Sequence, residues 1–392
     1  MTRIRSTDAF GLDTSALETA GAEWTAAEVL QQPDIWREVE ALMAREAGRI
    51  GIFLGPLLRR PDLRIVLTGA GTSSFIGECL APAMTRVLDR RVEAISTTDL
   101  VASPDSWLQA RAPTLLVSFA RSGNSPESVS AVALASSLVT PCAHLIITCN
   151  ADGALSRWAK GQPDTCVILL PAASNDRGFA MTSSFTGMVL AAALAFGLLT
   201  PGDGRVQAVS SAARALQARL RPTVQALVEA KFERVVYLGS KELKGLAKEA
   251  ALKMLELTDG RVVVTAESPL GFRHGPKTVL NARTLVVVFL SGDAYARRYD
   301  LDLLAELRRE AVAGRVLALS GTADGAPDSD TITLDASLPS DLELCLPYAV
   351  FAQTLALLSS LAVGMRPDQP NAAGTVSRVV QGVEIYPWRG RA

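Results

Sequence analysis

The chain carries the same run of short apolar segments twice, about 170 residues apart. Each segment is four to seven residues long and rich in β-branched side chains, and a helix-length stretch separates it from the next. Strands that alternate with helices in this way are typical of parallel βαβ units. A repeat at one spacing indicates two copies of that unit. The predicted strand pairs are residues 65–69 and 235–239, 91–95 and 261–265, 114–117 and 284–287, and 145–148 and 316–319.

The repeat divides the chain into two α/β domains with an addition at each end. The first copy spans residues 46–205 and the second spans 206–366, in agreement with the two domains expected for 392 residues. Residues 1–45 are predicted to form a helical arm with a break marked by proline, and residues 367–392 form a C-terminal tail. Sheets of this class bind ligands beyond the carboxyl ends of their strands, so the sites are expected there.

Charge and cysteine content argue against several classes of partner. The 39 basic and 40 acidic residues nearly cancel without a basic tract, so neither nucleic acid nor a membrane surface is an expected partner. The five cysteines form no CxxC pair, which predicts a reducing compartment and neither a disulfide framework nor a zinc site. The N-terminus shows no signal core, and the longest apolar run, residues 187–199, is predicted to be a core helix because it is too short to span a bilayer. We therefore expect a cytoplasmic protein.

A serine-rich turn follows the third predicted strand. Residues 120–125 are turn-prone, and Pro126 then opens a predicted helix. The free N–H groups and positive dipole end of such a helix, together with the hydroxyls of Ser122, Ser125 and Ser128, form an anion site. An ordinary strand-to-helix connection with a serine cap fits this stretch equally well.

A second hydroxyl-rich turn follows the first predicted strand. Residues 69–74 lack the glycine spacing of a dinucleotide-binding turn and the Gly-Lys-Ser/Thr ending of a nucleotide P-loop. The hydroxyls of Thr72, Ser73 and Ser74 suit a phosphate monoester or sugar hydroxyls better, although a plain tight turn also fits them. The counterpart of the serine turn in the second copy, residues 290–295, has fewer hydroxyls and carries an acid, so phosphate is expected in the first copy.

Candidate acid–base residues lie in the second copy. Glu249, Lys253 and Glu256 are spaced at i, i+4 and i+7 and therefore share one face of a predicted helix. Neighbouring leucines would partly desolvate a carboxylate there and make it a usable base, whereas a solvated stripe of ion pairs is the alternative. His274 lies in a loop between glycine and proline and is either an acid–base residue or a structural one. His144 heads an apolar strand and is predicted to be a core residue.

Four motifs resemble those of the sugar isomerase (SIS) family, whose fold binds phosphosugars. The resemblance covers about residues 46–366 and implies two tandem SIS domains, each a three-layer α/β/α sandwich around a parallel, flavodoxin-like sheet. Two further segments resemble the AgaS-type subgroup, described as galactosamine-6-phosphate deaminase/isomerases or tagatose-6-phosphate ketose/aldose isomerases. The four family motifs are GAGTSS at 69–74, SFARSGNSPES at 118–128, KEAALKMLE at 248–256 and FRHGP at 272–276, and the subgroup segments are 174–186 and 374–386.

The resemblance implies that the first copy holds the phosphate of the substrate. The phosphate would contact Ser73, Ser122 and Ser125 and the backbone of Arg121 and Gly123. The full predicted substrate-binding set is Gly71, Thr72, Ser73, Arg121, Ser122, Gly123, Asn124, Ser125 and Ser128.

The resemblance also implies that the second copy carries the catalytic residues. Glu256 would move a proton between C1 and C2 of the sugar, and Lys253 and Glu249 would orient that carboxylate. His274 would open the sugar ring and would come from the neighbouring subunit, which implies a homodimer or a larger homo-oligomer with shared active sites.

One departure from the family bears on the reaction. The related hexosamine synthase has a Schiff-base lysine after an Asp-Gln-Pro segment, but here Asp368, Gln369 and Pro370 are followed by residues 371–375 without a lysine. With about 45 residues before the first copy, a glutamine-hydrolysing domain is not expected. With this departure, the resemblance implies conversion of galactosamine 6-phosphate to tagatose 6-phosphate and ammonia, with no metal or other cofactor. A non-deaminating aldose–ketose isomerase and a non-catalytic phosphosugar-sensing regulator are the alternatives.

Overall fold

The chain folds into two five-stranded parallel sheets with helices on their faces, which confirms the predicted α/β class. The structure is a computed structural model, and it describes residues 10, 13–322, 329–336, 338–380 and 382–390. The strands are β1 Arg64–Thr68, β2 Val92–Ala94, β3 Thr114–Ala120, β4 Cys142–Thr148, β5 Thr165–Leu169, β6 Arg234–Gly239, β7 Val263–Glu267, β8 Thr284–Phe289, β9 Arg315–Ser320 and β10 Thr331–Thr333.

The two sheets have the same strand order, and their central strand pairs, β1–β3 and β6–β8, have the same register. The order is β2-β1-β3-β4-β5 in sheet 1 and β7-β6-β8-β9-β10 in sheet 2, and every recorded pairing is parallel. Arg64 lies opposite Thr114 in sheet 1, and Arg234 lies opposite Thr284 in sheet 2. All eight predicted segments form strands, and their ends differ from the predicted ones by a few residues.

Three helices form the N-terminal region, in agreement with the predicted helical arm. A break between the second and third of these helices precedes Pro33. The helices are α1 Thr14–Ala20, α2 Glu23–Leu30, α3 Gln32–Leu58, α4 Thr72–Leu88, α5 Thr97–Ala102, α6 Pro104–Trp107, α7 Pro126–Leu138, α8 Ala154–Ala159, α9 Ser183–Ala195, α10 Arg205–Glu229, α11 Glu242–Leu257, α12 Pro269–Phe272, α13 Ala294–Glu310 and α14 Asp341–Ala362.

Sheet 1 is covered on both faces. Val66 and Leu116 point to one face, where they pack in a core with residues of α5 and α7. Leu67 points to the other face, where a Cβ at Gly77 of α4 would lie 3.0 Å from the Leu67 Cβ. Successive strand side chains alternate between faces, so this arrangement is a three-layer sandwich.

Two apolar helices are buried. Residues 187–199, the apolar run predicted to be a core helix, overlap α9, in which Val189 and Ala191 are almost fully buried. In the described part of the chain, α14 is the one helix long and apolar enough to cross a membrane, but most of it lies inside the protein. We interpret α14 as a core helix, because it packs against α10 and α11.

The chain divides into two compact units, one around each sheet. The sheet-1 unit comprises Ile35–Asn175, Gly187–Asp203 and Gly374–Ala392, and the sheet-2 unit comprises Met1–Asp34, Asp176–Thr186 and Gly204–Ala373. The boundaries predicted after residues 45, 205 and 366 remain predictions.

Candidate active site

The serine turn connects β3 to α7 at the carboxyl end of sheet 1. All seven residues of β3 are buried, and Pro126 occupies the first position of α7, as its fixed φ favours. Ser125 is the N-cap: its Oγ accepts the N–H of Ser128 at 3.3 Å and donates to the Ser128 hydroxyl at 2.7 Å. Gly123 has a φ of 64°, which favours glycine.

A neighbouring loop fixes the shape of this turn. Asn150 donates from its side chain to the Ser122 carbonyl at 2.8 Å, and the Asn124 side chain accepts the N–H of Ala154 at 2.9 Å. A Cβ at Gly153 would lie 2.6 Å from the Ser122 carbonyl oxygen, so only glycine permits this approach. Asn150 and Gly153 were not predicted, although an Asn and a Gly shortly after a buried strand are a recognisable turn signal.

The predicted phosphate-binding turns lie at one edge of the sheet. Thr68, the last residue of β1, is the register partner of Ser118, two residues before the end of β3, so residues 69–73 and 121–125 follow adjacent strands. Strands β2 and β3 lie on opposite sides of β1. The chain therefore runs from β1 to one side of the sheet and from β3 to the other, which makes this edge a topological switch point. The structure thus brings both predicted hydroxyl sets to the position where doubly wound sheets bind ligands.

The second turn places further donors at this edge. Gly71, with φ 55°, precedes α4, and the first two residues of that helix, Thr72 and Ser73, are buried. A Cβ at Gly69 would lie 2.5 Å from the Ser73 backbone, so glycine permits the close start of the helix. The N-termini of α4 and α7 both favour an anion here.

Arg121 ties the serine turn to the C-terminal tail. Its side chain is 6% exposed, and its guanidinium donates to the Arg378 carbonyl at 2.9 Å within the sheet-1 unit. Arg121 is predicted to bind phosphate through its backbone. The contact with Arg378 involves only the side chain, so the backbone of Arg121 remains part of the turn.

The predicted acid–base residues of α11 form a largely buried array. Lys253 is 1% exposed, and its Nζ lies 3.5 Å from Oε1 of Glu249 and 2.5 Å from Oε2 of Glu256. The Glu249 side chain is 2% exposed, whereas that of Glu256 is 25% exposed. A solvated stripe of ion pairs does not describe this face. The lysine lies between two carboxylates, and of the two only that of Glu256 reaches the surface.

His274 lies outside that array, in the loop after α12. Phe272 anchors the loop in the core, whereas His274 is exposed, and its N–H donates to the Gly271 carbonyl at 3.0 Å. Among the described residues, its imidazole makes no hydrogen bond or ion pair with Glu256. His144, as predicted, is a core residue: its Nε2 lies 2.9 Å from the Ser136 hydroxyl, and burial lowers its pKa to about 4.

The corresponding turn of sheet 2 is filled by carboxylates of the chain. The Asp341 carboxylate accepts the Ser291 hydroxyl at 2.7 Å and the Gly292 N–H at 2.6 Å. Asp300 accepts the Ser291 N–H at 2.9 Å and the Ser240 hydroxyl at 2.6 Å. Burial raises the pKa of Asp300 to about 6 and also raises that of Asp341. Donors of the type that hold a phosphate are thus engaged by internal acids, in keeping with the expectation that phosphate binds in the first copy.

No metal centre is evident in the described ranges: no three His, Cys, Asp or Glu side chains are grouped so as to hold an ion. The five cysteines are free thiols.

Comparison with known proteins identifies the family. A model of the SIS domain matches residues 57–197. A protein of Streptomyces coelicolor is 51% identical over 366 residues, which cover 92% of this chain and 95% of that protein. The chain belongs to the SIS family.

Relatives within the SIS family define the subgroup. D-galactosamine-6-phosphate deaminase AgaS of Escherichia coli is 45% identical over 380 residues, which cover 94% of this chain and 97% of the relative. The crystal structure of tagatose-6-phosphate ketose/aldose isomerase from Escherichia coli matches with a TM-score of 0.87 and 42% identity, covering 94% and 97% of the two chains. These matches confirm the predicted AgaS-type resemblance.

One subgroup segment of this SIS chain, residues 174–186, is organised around a buried acid. The Asp176 carboxylate accepts the backbone N–H and the hydroxyl of three successive residues, Thr182, Ser183 and Ser184. These bonds satisfy the N–H groups at the start of α9. Asp176 was not predicted as a functional residue, and the structure gives it a capping role.

Proposed function

We propose that this chain is a deaminating aldose–ketose isomerase that converts galactosamine 6-phosphate to tagatose 6-phosphate and ammonia. The observation that carries the proposal is the Glu249–Lys253–Glu256 array, because it exposes one carboxylate held by a buried lysine. The AgaS relative named as a deaminase of this substrate aligns over almost the whole chain.

In the proposed reaction the two turns of sheet 1 bind the phosphate. Ser73, Ser122 and Ser125 supply hydroxyls, and the backbone of Arg121 and Gly123 supplies N–H groups. The remaining members of the proposed binding set are Gly71, Thr72, Asn124 and Ser128. Charge-assisted hydrogen bonds of this kind are stronger than neutral ones, so the phosphate serves as a handle that positions the sugar.

The proton transfers are assigned to the sheet-2 unit. His274 moves a proton between O5 and O1, which opens the ring to the aldehyde. The Glu256 carboxylate removes the proton from C2 while O1 takes a proton from the ammonium group of the substrate, which gives a neutral enolamine. Glu256 then delivers its proton to C1, which leaves a C2 iminium and a C1 hydroxymethyl group. Water adds to C2, and the carbinolamine expels ammonia to leave the ketose. Lys253 and Glu249 hold Glu256 in place.

We further propose that the active protein is a cytoplasmic homodimer whose subunits share active sites, and that the chain arose by tandem duplication. The shared strand order of the two sheets, and the identical register of their central strand pairs at a 170-residue offset, support duplication. Free thiols at all five cysteines support a reducing compartment.

The proposal is tested by measuring ammonia and ketose release from a panel of 6-phosphorylated amino sugars. Wild type is expected to release both from galactosamine 6-phosphate, and Glu256→Gln is expected to lose activity by roughly a thousand-fold, because the base is removed. Glu229→Gln, on the exposed surface of α10, is the matched control and is expected to retain full activity. Full activity of Glu256→Gln would show that the base is another group.

A non-deaminating isomerase is the second candidate, since the solved relative is named a tagatose-6-phosphate ketose/aldose isomerase. It predicts interconversion of a neutral aldose 6-phosphate and its ketose with no ammonia from the amino sugar. The panel therefore separates the two candidates in one assay.

A further inference from the structure

We infer that Glu306 is a positioning residue that holds the His274 loop. The inference rests on the proposed function, in which His274 opens the sugar ring. Glu306 lies on α13, and its carboxylate bridges the two cations that flank His274 in sequence, Arg273 and Lys277. Oε2 of Glu306 lies 2.9 Å from Nε and 2.8 Å from Nη2 of Arg273, and Oε1 accepts from Nζ of Lys277.

Two outer acids complete the clamp. Asp302 lies 2.8 Å from Arg273, and Glu310 lies 2.7 Å from Lys277. The three acids are spaced by four residues and therefore share one face of α13. Of these three acids, Glu306 is the one that contacts both cations, so it joins the two ends of the loop. Hydrogen bonds from Lys277 and Arg273 lower the pKa of Glu306 below its usual range, which keeps the carboxylate charged at neutral pH.

The rest of the loop supplies few other restraints on the imidazole. Phe272 is buried just before the loop, but His274 is exposed, and its ring has no hydrogen-bond partner in the described ranges. Gly275 has a φ of 121°, and no atom lies within 4 Å of a Cβ built on it. The backbone therefore sets the imidazole position. The N–H of His274 donates to the Gly271 carbonyl and that of Thr278 to the Gly275 carbonyl, both at 3.0 Å, and the clamp holds the side chains on both sides of His274.

The geometry suits a catalytic role better than a purely stabilising one. Ion pairs between partly exposed side chains contribute little to folding, commonly about 0–1 kcal/mol. A proton-transfer group that is displaced by about 1 Å can cost up to a hundred-fold in rate. Removal of Glu306 should therefore affect turnover more than stability.

Limited trypsin digestion tests the clamp without an activity assay. Trypsin cleaves after arginine and lysine, so the bonds after Arg273 and Lys277 report whether those side chains are released. Glu306→Gln is expected to raise the cleavage rate in this loop roughly ten-fold, through more frequent local opening. Asp302→Asn and Glu310→Gln, which each lose one outer contact, are the matched controls and are expected to change the rate by less than about three-fold.

A double-mutant cycle tests the link to His274. Glu306→Gln is expected to lower kcat for ammonia release roughly ten-fold while its melting temperature stays close to that of wild type. In a His274→Asn background the same substitution is expected to change the residual rate by less than about two-fold, because there is no imidazole left to position. Lys277→Met removes one of the two cations and keeps Glu306, and it is expected to lower kcat by an intermediate factor. It replaces Glu306→Gln in the test if that variant folds poorly.

The outcomes separate this inference from the proposed function. Wild type that releases neither ammonia nor ketose rejects the proposed function and the catalytic purpose of the clamp with it. An active wild type with unchanged trypsin cleavage and kcat in Glu306→Gln rejects the clamp alone. An equal loss of rate with and without His274 also rejects it, since a general structural role would have that effect.

Discussion

At the residue scale, the carboxyl group of Glu28 lies buried near a second acid, Asp176, in the sheet-2 unit. It accepts hydrogen bonds from the backbone N–H groups of Arg177 and Gly178. Burial, reinforced by the negative charge of Asp176, raises the pKa of Glu28 to about 9. The group is therefore protonated in the folded protein and ionised in the unfolded chain near neutral pH.

Glu28 is expected to make the protein less stable as the pH rises. Its folded pKa of about 9 lies above the ordinary value of 4.5, so the folded state holds one more proton between these values. The contribution of Glu28 to the free energy of unfolding then falls by about 1.4 kcal/mol per pH unit in that window. The contribution of Glu28 to stability is fully present below the ordinary pKa of 4.5 and is lost as the pH rises through the folded pKa of about 9. Glu28→Gln, which keeps a neutral side chain of similar shape, is expected to flatten this dependence in urea unfolding between about pH 6 and pH 9.

Glu23→Gln, at the start of the same helix, controls for the loss of one carboxylate. It is expected to keep the wild-type slope of stability against pH. A slope that persists unchanged in Glu28→Gln would show that another group carries it.

Some of these residues could be predicted from the sequence and others could not. The helical spacing of Glu249, Lys253 and Glu256 already placed them on one face. Their burial depends on the packing of α14 against α11, and these helices lie about 100 residues apart in sequence. The same holds for Glu306, which reaches the His274 loop from a different element and carries no motif of its own.

At the element scale, the helices that follow the first strands of the two sheets begin with the same backbone conformation. Gly71 precedes α4 with φ 55° and ψ −127°, and Lys241 precedes α11 with φ 53° and ψ −124°. Residues with a Cβ are strained in this region, which glycine adopts freely. Lys241 keeps an ion pair with Asp293 at 3.1 Å.

Lys241→Gly is expected to stabilise the protein. The backbone strain it relieves is about 1–3 kcal/mol. The ion pairs that are lost, with Asp293 at 3.1 Å and with Asp341 at 3.9 Å, are worth about 0–1 kcal/mol each, so a gain of up to about 1 kcal/mol in the free energy of unfolding should remain. Urea unfolding of the variant against wild type measures it. A less stable variant would mean that the lysine contacts outweigh the strain.

Gly71→Ala is the reciprocal variant and is expected to lose about 1 kcal/mol or more. No atom lies within 4 Å of a Cβ built at Gly71, so the loss would come from the backbone and not from a clash. Stability equal to wild type would contradict the strain argument at both positions.

The eight strands of the repeat could be predicted because each is a short apolar run of β-branched residues. Two strands escaped prediction. β5 alternates between buried and partly exposed positions, and β10 has only three residues, so neither stands out as an apolar segment. The strand order came only from the family resemblance: a flavodoxin-like sheet has the order 2-1-3-4-5, which both sheets adopt. The apolar segments alone do not determine it, since it depends on pairings between distant segments.

At the scale of the whole molecule, two stretches outside the second copy of the repeat belong to the sheet-2 unit, namely Met1–Asp34 and Asp176–Thr186. No sequence pattern predicts this. Asp368 accepts hydrogen bonds from the N–H and hydroxyl of Thr25 at 2.8 and 2.7 Å. Glu28 accepts the N–H of Gly178. These side-chain contacts link the N-terminal helices to residues more than 140 positions away. A repeat alone therefore predicts the two sheets without predicting which other segments accompany each.

The proposed phosphate site leads to a prediction about substrate selectivity. The turns at Ser73 and Ser122 lie in the sheet-1 unit, whereas Glu256 and His274 lie in the sheet-2 unit. If the phosphate is a handle, its binding energy serves to orient the reacting carbons. Wild type should therefore prefer galactosamine 6-phosphate strongly over galactosamine in kcat/KM.

Ser122→Ala is expected to reduce kcat/KM for galactosamine 6-phosphate roughly ten-fold, because one hydrogen bond to a charged group is lost, and to leave the low rate with galactosamine unchanged. Glu256→Gln should lower both rates by a similar factor, since the proton shift is common to both substrates. Ser137→Ala, on the exposed side of α7, is the control and should match wild type with both. A Ser122→Ala variant that loses activity equally on the two substrates would place the serine in the chemistry of the reaction and not in phosphate recognition, because only the phosphorylated sugar can report on a phosphate contact.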